Sequence, residues 1–272
     1  MIKRFLTIIC IIIPFITTQA QAPPDEFFKG LDLMSTDIKQ AKKEFIIALQ
    51  KDSLFHGTYH FLGVICLRQE RYDSAIYYFR KTITLNTANE RHTREMAYDR
   101  LIHACLCKID FKDAFNVASE AFLKYPENEA ISRDLRDVCL WAYHIRHNGL
   151  DSSCLSPKMK EEYSVNSVDQ EYLIVRMIRI DDNALSIQSQ SLRKIKKNNY
   201  DVLSCAYLQN TKTVDVNFMI NWDMDKYFGG KTGDTDCVYS NIGNPVFDRI
   251  GALLITNPDI NLKEEIEKIS KN

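Results

Sequence analysis

The chain has 272 residues, 26% charged and 45% hydrophobic, with a formal net charge of −1. That is globular composition, with enough chain for one or two cores. Lys and Arg balance Asp and Glu at 18 each over residues 23–150 and number 15 against 18 after residue 150, so neither half has the basic footprint of a nucleic-acid binder.

Residues 1–22, "MIKRFLTIICIIIPFITTQAQA", carry Lys3 and Arg4, then an apolar run from Phe5 to Ile16, then Ala20-Gln21-Ala22. This charged, hydrophobic and A-x-A order predicts a signal peptide cut after Ala22 and a periplasmic or secreted protein. The apolar run is short of the roughly 20 residues that cross a bilayer. Cys10 follows Ile8-Ile9 rather than a small residue, so it does not read as a lipidation cysteine. Loss of residues 1–22 removes two cations and moves the net charge from −1 to −3. No later segment is long and apolar enough to span a membrane.

Three helical hairpins are predicted next, over about 22–55, 56–89 and 95–128. Ala75 is followed by Phe79 and Thr82, Ala41 by Phe45 and Ala48, and Ala114 by Ala118 and Ala121. An aliphatic or aromatic residue stands three before each alanine: Ile38, Tyr72 and Phe111. The middle copy adds Tyr59 and Leu62-Gly63, and the third keeps Tyr98, Leu101 and Pro126 but has Ile102 in place of a small residue. Five extra residues between these copies fall in "NTANERHT", a loop that tolerates insertion. This code, at a 34-residue period in the first two copies, resembles the tetratricopeptide repeat (TPR), an array of two-helix units.

The resemblance implies a superhelix whose first helices line a concave, partner-binding groove. Carried onto this chain, the family's contacting positions are His60, Val64, Leu67 and Arg68 in the middle copy and Asp99, His103 and Leu106 in the third. Glu26, Gly30, Leu33 and Met34 follow from the degenerate first copy. The first-helix faces bearing Arg68 and His103 are predicted to be exposed. One hairpin cannot bury its apolar face alone, and residues 128–147 read as the helix that closes the stack. There Ile131, Leu135, Val138 and Ala142 face inward and Gly149 terminates the helix.

Residues 150–170 read as a serine- and charge-rich linker, and residues 171–272 as a second domain. "EYLIVRMIRID" at 171–181 is almost continuously apolar and is predicted as a strand. "ALSIQSQSL", "NNYDVLSCAYLQ" and "TVDVNFMINW" follow, the last with Val214, Val216, Phe218, Ile220 and Trp222 alternating. Together they predict a four-stranded antiparallel meander over 171–222, with "RKIKK" at 193–197 a solvated hairpin or loop. Two helices end the chain, in "NPVFDRIGALLIT" and "LKEEIEKIS". The half as a whole is similar to uncharacterised domains that follow helical repeats in exported Gram-negative proteins.

No constellation for catalysis emerges. All six histidines lie before residue 150, leaving the second half no imidazole. "GGKTGD" at 229–234 lacks the first glycine of a phosphate loop, since Asp225 stands there. Asp223, Asp225, Asp234 and Asp236 lack calcium-loop spacing. His56 and His60 in "HGTYH" have Gly57 where a zinc protease needs Glu. His144 and His147 sit at a helix end, where positive charge suits the dipole. Seven cysteines remain after Cys10; Cys66, Cys105 and Cys139 read as buried thiols. Cys105 and Cys107 are too close on a helix to bridge each other, and any disulfide belongs among Cys154, Cys205 and Cys237.

The expectation is an α+β chain in four parts. A signal peptide (1–22) precedes a TPR-like helical domain (23–149), a linker (150–170) and a small sheet domain with C-terminal helices (171–272). It acts as an exported, non-catalytic protein–protein interaction module that takes a peptide or protein in the repeat groove, with no cofactor, metal or nucleic acid. The alternative is a carbohydrate- or ligand-binding accessory protein, or a toxin-neutralising immunity-type protein, acting through a sheet face with Tyr207, Asn217 and Asn221.

Overall fold

Seven helices come first in the computed structural model, which describes residues 22–85, 91–180, 183–195, 198–207, 210–220, 245–257 and 260–270. They are α1 (Asp25–Leu33), α2 (Ile38–Lys51), α3 (His56–Arg68), α4 (Tyr72–Leu85), α5 (Arg91–Cys107), α6 (Phe111–Lys124) and α7 (Glu129–His147). Each packs against the next.

Small residues set how closely they approach. A Cβ placed on Gly30 would lie 2.6 Å from the Phe45 ring, and one on Gly63 would lie 2.7 Å from the Phe79 ring. In two successive hairpins, therefore, a glycine of the first helix seats a phenylalanine of the second. The third hairpin exchanges the pair. Ile102 holds the glycine position and Ala118 the phenylalanine position, and both are buried, so volume is conserved while the bulky partner changes helix. Ala41, Ala75 and Ala114 are each 0% exposed.

The turns repeat as well. In α3–α4 Arg71 N–H reaches Cys66 O at 2.9 Å and Glu70 N–H reaches Leu67 O at 3.0 Å. In α5–α6 Asp110 N–H reaches Cys105 O at 3.0 Å and Ile109 N–H reaches Leu106 O at 2.8 Å. Both are Schellman closures, and both put a non-glycine residue in the left-handed region: Glu70 at φ 58° and Ile109 at φ 62°. The helices that follow start on side-chain caps where Asp or Asn is available. Asp37 accepts from Lys39 and Gln40 N–H, Asp110 from Asp113 N–H, and Asn128 from Ala130 and Ile131 N–H.

α7 buries Ile131, Leu135, Val138 and Ala142 as expected, but Cys139, Trp141, Tyr143 and His144 are buried too. The second face is covered by the C-terminal helix α9 (Pro245–Thr256). A Cβ on Gly251 would lie 2.6 Å from Cys139 O and 2.8 Å from Tyr143 Cβ, so the two helices meet through a glycine. The helix that closes the stack is thus also the seat of the C-terminal part. Gly149 follows it at φ 65°.

Residues 150–170, read as a linker, hold a 3-10 turn (Ser152–Cys154), the short strand β1 (Tyr163–Val165) and the start of α8 (Val168–Met177). Here one expectation is overturned: the segment read as a strand over 171–181 is helix through Met177, with only Arg179–Ile180 extended in a strand. The helix begins earlier, with Asp169 and Glu171 in its first turn. Gln170, Glu171, Leu173, Ile174, Val175 and Met177 are buried, while Asp169, Tyr172 and Arg176 form a narrow, more exposed stripe. With so narrow a polar stripe, a short apolar run rich in Ile and Val carries no signal that separates it from a strand.

Strands β2 (Arg179–Ile180) and β3 (Asn183–Ala184) make a small ribbon, followed by β4 (Ser186–Ile195), β5 (Asn198–Tyr207) and β6 (Lys212–Ile220). The larger sheet has the order β1-β6-β5-β4. β4, β5 and β6 form an antiparallel meander, and β1 pairs parallel to β6 with Tyr163 beside Phe218 and Val165 beside Ile220. The predicted four-stranded antiparallel meander is therefore three strands, with a parallel fourth from upstream. Val216 and Phe218 point into the core while Asp215 is exposed, as the alternation requires. Trp222, Asn221 and the Asp223, Asp225, Asp234, Asp236 and 229–234 segments lie outside the described residues. α9 and α10 (Leu262–Ser270) follow, giving an N-terminal helical region, a small sheet region and C-terminal helices.

One apolar core runs from Val64 and Phe79 through α5–α8 and the sheet to Leu254 and Ile266. A smaller cluster of Phe27, Phe45, Ala48, Leu62 and Ile65 holds the first hairpin to the second. The six cysteines among the described residues, Cys66, Cys105, Cys107, Cys139, Cys154 and Cys205, are buried and unbridged; Cys237 lies outside them.

Candidate functional site

α5 runs along α7, and helical spacing sets His92, Glu95, Met96, Asp99, Arg100, Ile102, His103 and Leu106 on neighbouring positions of α5. α7 supplies Ala130, Ile131, Asp134 and Asp137 from its first turns. Between them lie two cavities that share Asp99. The inner one, about 30 Å³, is lined by Asp99, His103, Asp134, Asp137, Arg176 and Arg179 with Ile102, Leu106 and Met177. The outer one, about 220 Å³, is lined by His92, Glu95, Met96, Asp99, Arg100, Asn128, Ala130 and Ile131.

The inner part of the groove is occupied by the chain itself. Arg176, near the end of α8, sets Nε and Nη2 on the two carboxylate oxygens of Asp137 at 2.6 and 2.7 Å, a bidentate fork. One residue on, His103 Nε2 donates to Met177 O at 3.0 Å, which puts the neutral ring's proton on Nε2. At Ile178 the backbone leaves the helix in extended conformation. Arg179 then donates through Nη1 to the carbonyls of Arg176 and Ile178, and its N–H reaches Pro157 O at 2.9 Å.

Burial governs the protonation of this groove. It drives His103 well below the usual imidazole range, aided by Arg179 and Arg100, so the ring is neutral. Burial lifts the Asp137 carboxyl, against the opposing pull of Arg176. Asp134 is pushed well above the carboxylate range by burial and then by Asp99 and Asp137. Its Oδ2 is sequestered with no hydrogen-bond partner.

Of the seven residues carried over from the repeat code, Asp99, His103 and Leu106 come together here. His60, Val64 and Leu67 do not reach solvent, at 4%, 5% and 5% exposure. His60 sits against the Phe61 and Phe79 rings at 5.3 and 5.7 Å. Arg68 is half-buried and donates to Met34 O at 3.0 Å, and His103 is 4% exposed. The expected exposed faces at Arg68 and His103 are thus covered, by α1's end and by the end of α8. In the first hairpin, Glu26 pairs with Lys51 at 2.6 Å and Gly30 is spent on Phe45.

Sequence reasoning missed Met96, Asp134, Asp137, Arg176 and Arg179. Asp134 and Asp137 stand at i and i+3 in "RDLRD", a helical spacing that signals one shared face. Arg176 and Arg179 were hidden by reading 171–181 as a strand, where three residues apart means opposite faces.

On the sheet, Tyr207 and Asn217 are half-buried, and Asn217 donates its amide to Glu161 O at 3.3 Å. Under the sheet, fully buried Glu171 lies beside Asp201, 3% exposed. Burial and then Asp201 push Glu171 up to about 9, and Gln190 donates to Asp201 Oδ2. At that burial the carboxyl pair is out of a substrate's reach. Among the described residues, no group of three or more His, Cys, Asp or Glu could hold a metal ion, and no helix is long and apolar enough to cross a membrane.

No family model matches the chain, and no curated protein sequence matches it either.

Proposed function

We propose that the chain is an exported, non-catalytic interaction module of TPR type that binds a peptide or protein partner in the groove between α5 and α7. The observation that carries this reading is the chain's own use of that groove. A histidine holds a main-chain carbonyl, a carboxylate holds an arginine, and the backbone between them turns extended. Those are the contacts of peptide recognition, and a 220 Å³ pocket continues them outward. The repeated Gly30–Phe45 and Gly63–Phe79 seats and the paired Schellman turns support the TPR resemblance. The charged, apolar and A-x-A order of residues 1–22 supports export to the periplasm. In this reading Asp99 and Met96 face the partner, while His60, Val64 and Leu67 hold the hairpins together.

The test is site-specific photo-crosslinking in the cells that make the protein, with p-benzoylphenylalanine at Met96, Asp73 or Tyr207. Met96 is 39% exposed and Asp73 is a solvated position on α4, with 85% side-chain exposure. A discrete adduct from Met96 alone is expected. Adducts from Tyr207 and none from Met96 would overturn the groove reading in favour of the sheet face.

A further inference from the structure

The outermost strand of the larger sheet has a free side. We propose that β4 is a pairing edge for a second copy of this chain, antiparallel and centred on Leu192. This edge belongs to the sheet, apart from the α5–α7 groove.

β4 ends the sheet order β1-β6-β5-β4, and among the described residues only β5 pairs with it. A strand so placed directs the N–H and C=O groups of alternate residues outward, where they can template another strand. β1, at the opposite edge, has 3 residues, whereas β4 has 10. Every residue from Gln188 to Lys194 is exposed.

Leu192 marks where the core face runs out. It lies opposite Asp201, which lies opposite Phe218, while Leu203 lies opposite Val216. Residues opposite one another, or two apart along a strand, share a face. Leu192 therefore sits on the face of Leu203, Val216 and Phe218. Those three are buried, whereas Leu192 is 60% exposed. A second strand beside β4 would bring that leucine a neighbour.

The residues of the edge select the occupant. Pairing with β5 shifts register between Ile187 and Ser189 and is regular over Ser189–Ile195, a stretch with Leu192 at its midpoint. A two-fold axis there sets Leu192 beside its own copy in the second chain. It sets Ser191 beside Arg193, Gln190 beside Lys194 and Ser189 beside Ile195. Arg193 and Lys194 deter indiscriminate pairing, as edge cations do. In this register each of them meets an uncharged residue, and Arg193 is already held by Asp215 at 2.8 Å. Parallel pairing in register would set Arg193 on Arg193 and Lys194 on Lys194, which is unfavourable. The two-fold also closes the assembly at two copies.

Sedimentation equilibrium of the mature chain, residues 23–272, tests this from about 1 to 500 µM, a span suited to a small, transient interface. A monomer–dimer equilibrium is expected. Leu192→Lys and Ser191→Arg place like charges opposite each other across the axis and should each weaken it about fivefold or more. Ser191→Glu creates two Glu–Arg pairs and should tighten it about threefold. Both positions are exposed, so the variants should melt as the wild type does. A monomer at the highest concentration, or a dimer indifferent to all three substitutions, overturns the proposal. Weakening by Ser191→Glu as large as that by Ser191→Arg overturns it too, because the register then differs. So does growth beyond two copies, which would mean head-to-tail joining of β4 to β1.

Discussion

His103 on α5 donates through Nε2 to the carbonyl of Met177 at the end of α8, at 3.0 Å and out of contact with water. The bond joins the helical half to the C-terminal half. His103→Ala leaves a buried carbonyl unpaired and should cost about 1–3 kcal/mol in urea unfolding, with His103→Gln, which keeps a donor, costing less. The ring also sets an acid limit. Its folded-state value is depressed, as is that of His144, lowered to about 4 by burial. The folded state therefore requires the neutral rings, and stability present above the unfolded value near 6.5 should fall as pH drops from there toward 4. The raised carboxyls Glu171, Asp134 and Asp137 act in the opposite sense over this range, so the check is the difference between wild type and His103→Gln. A difference in unfolding midpoint that is the same at pH 7 and pH 4 would refute this.

The Arg176–Asp137 fork should behave as a buried pair. Arg176→Met strands the Asp137 carboxylate and should cost about 3 kcal/mol, while Arg176→Met combined with Asp137→Leu should recover most of the loss. A double-mutant cycle reads the coupling directly. Additive losses would mean the two side chains act independently.

Ile109 occupies a left-handed position that glycine prefers. Its side chain is 50% exposed, so little packing is lost on removing it. Ile109→Gly should raise stability by about 1 kcal/mol by relieving the clash of a β-branched residue at positive φ. A lower melting temperature would count against the Schellman turn.

Glu171 sets a limit at the alkaline side. Its folded-state value is raised from 4.5 to about 9, so the folded chain binds a proton that the unfolded chain releases. Stability should decline as pH rises from about 4.5 to 9. Glu171→Gln should flatten this slope and stabilise the protein by at least about 1 kcal/mol at pH 8. The same slope in wild type and variant would show that Glu171 is not the group responsible.

N-terminal sequencing of the envelope form should begin at Pro23 or a neighbouring residue. A form beginning at Met1 would contradict cleavage after Ala22.

Much of the helical half was legible in the sequence because its packing is local and repeats. Ala41, Ala75 and Ala114 mark helix contacts at helical spacing, and a glycine pairs with a phenylalanine from the adjacent helix, so a short window contains both partners. The alternation of β6 is equally local. The groove is different. That α8 is a helix, that its Arg176 meets Asp137 across 39 positions of sequence, and that β1 joins β6 in parallel are decided by what surrounds those segments. A short helix with only a narrow exposed stripe gives too weak a period to announce it, and a carboxylate's partner is chosen by spatial approach rather than by spacing. The sequence by itself determined the hairpins and, on α5, placed Asp99, His103 and Leu106 beside the groove. Only the tertiary structure decided which of them stay open, because packing between neighbouring hairpins buries His60, Val64 and Leu67, the distant end of α8 covers His103, and Met96 and Asp99 are left at the mouth.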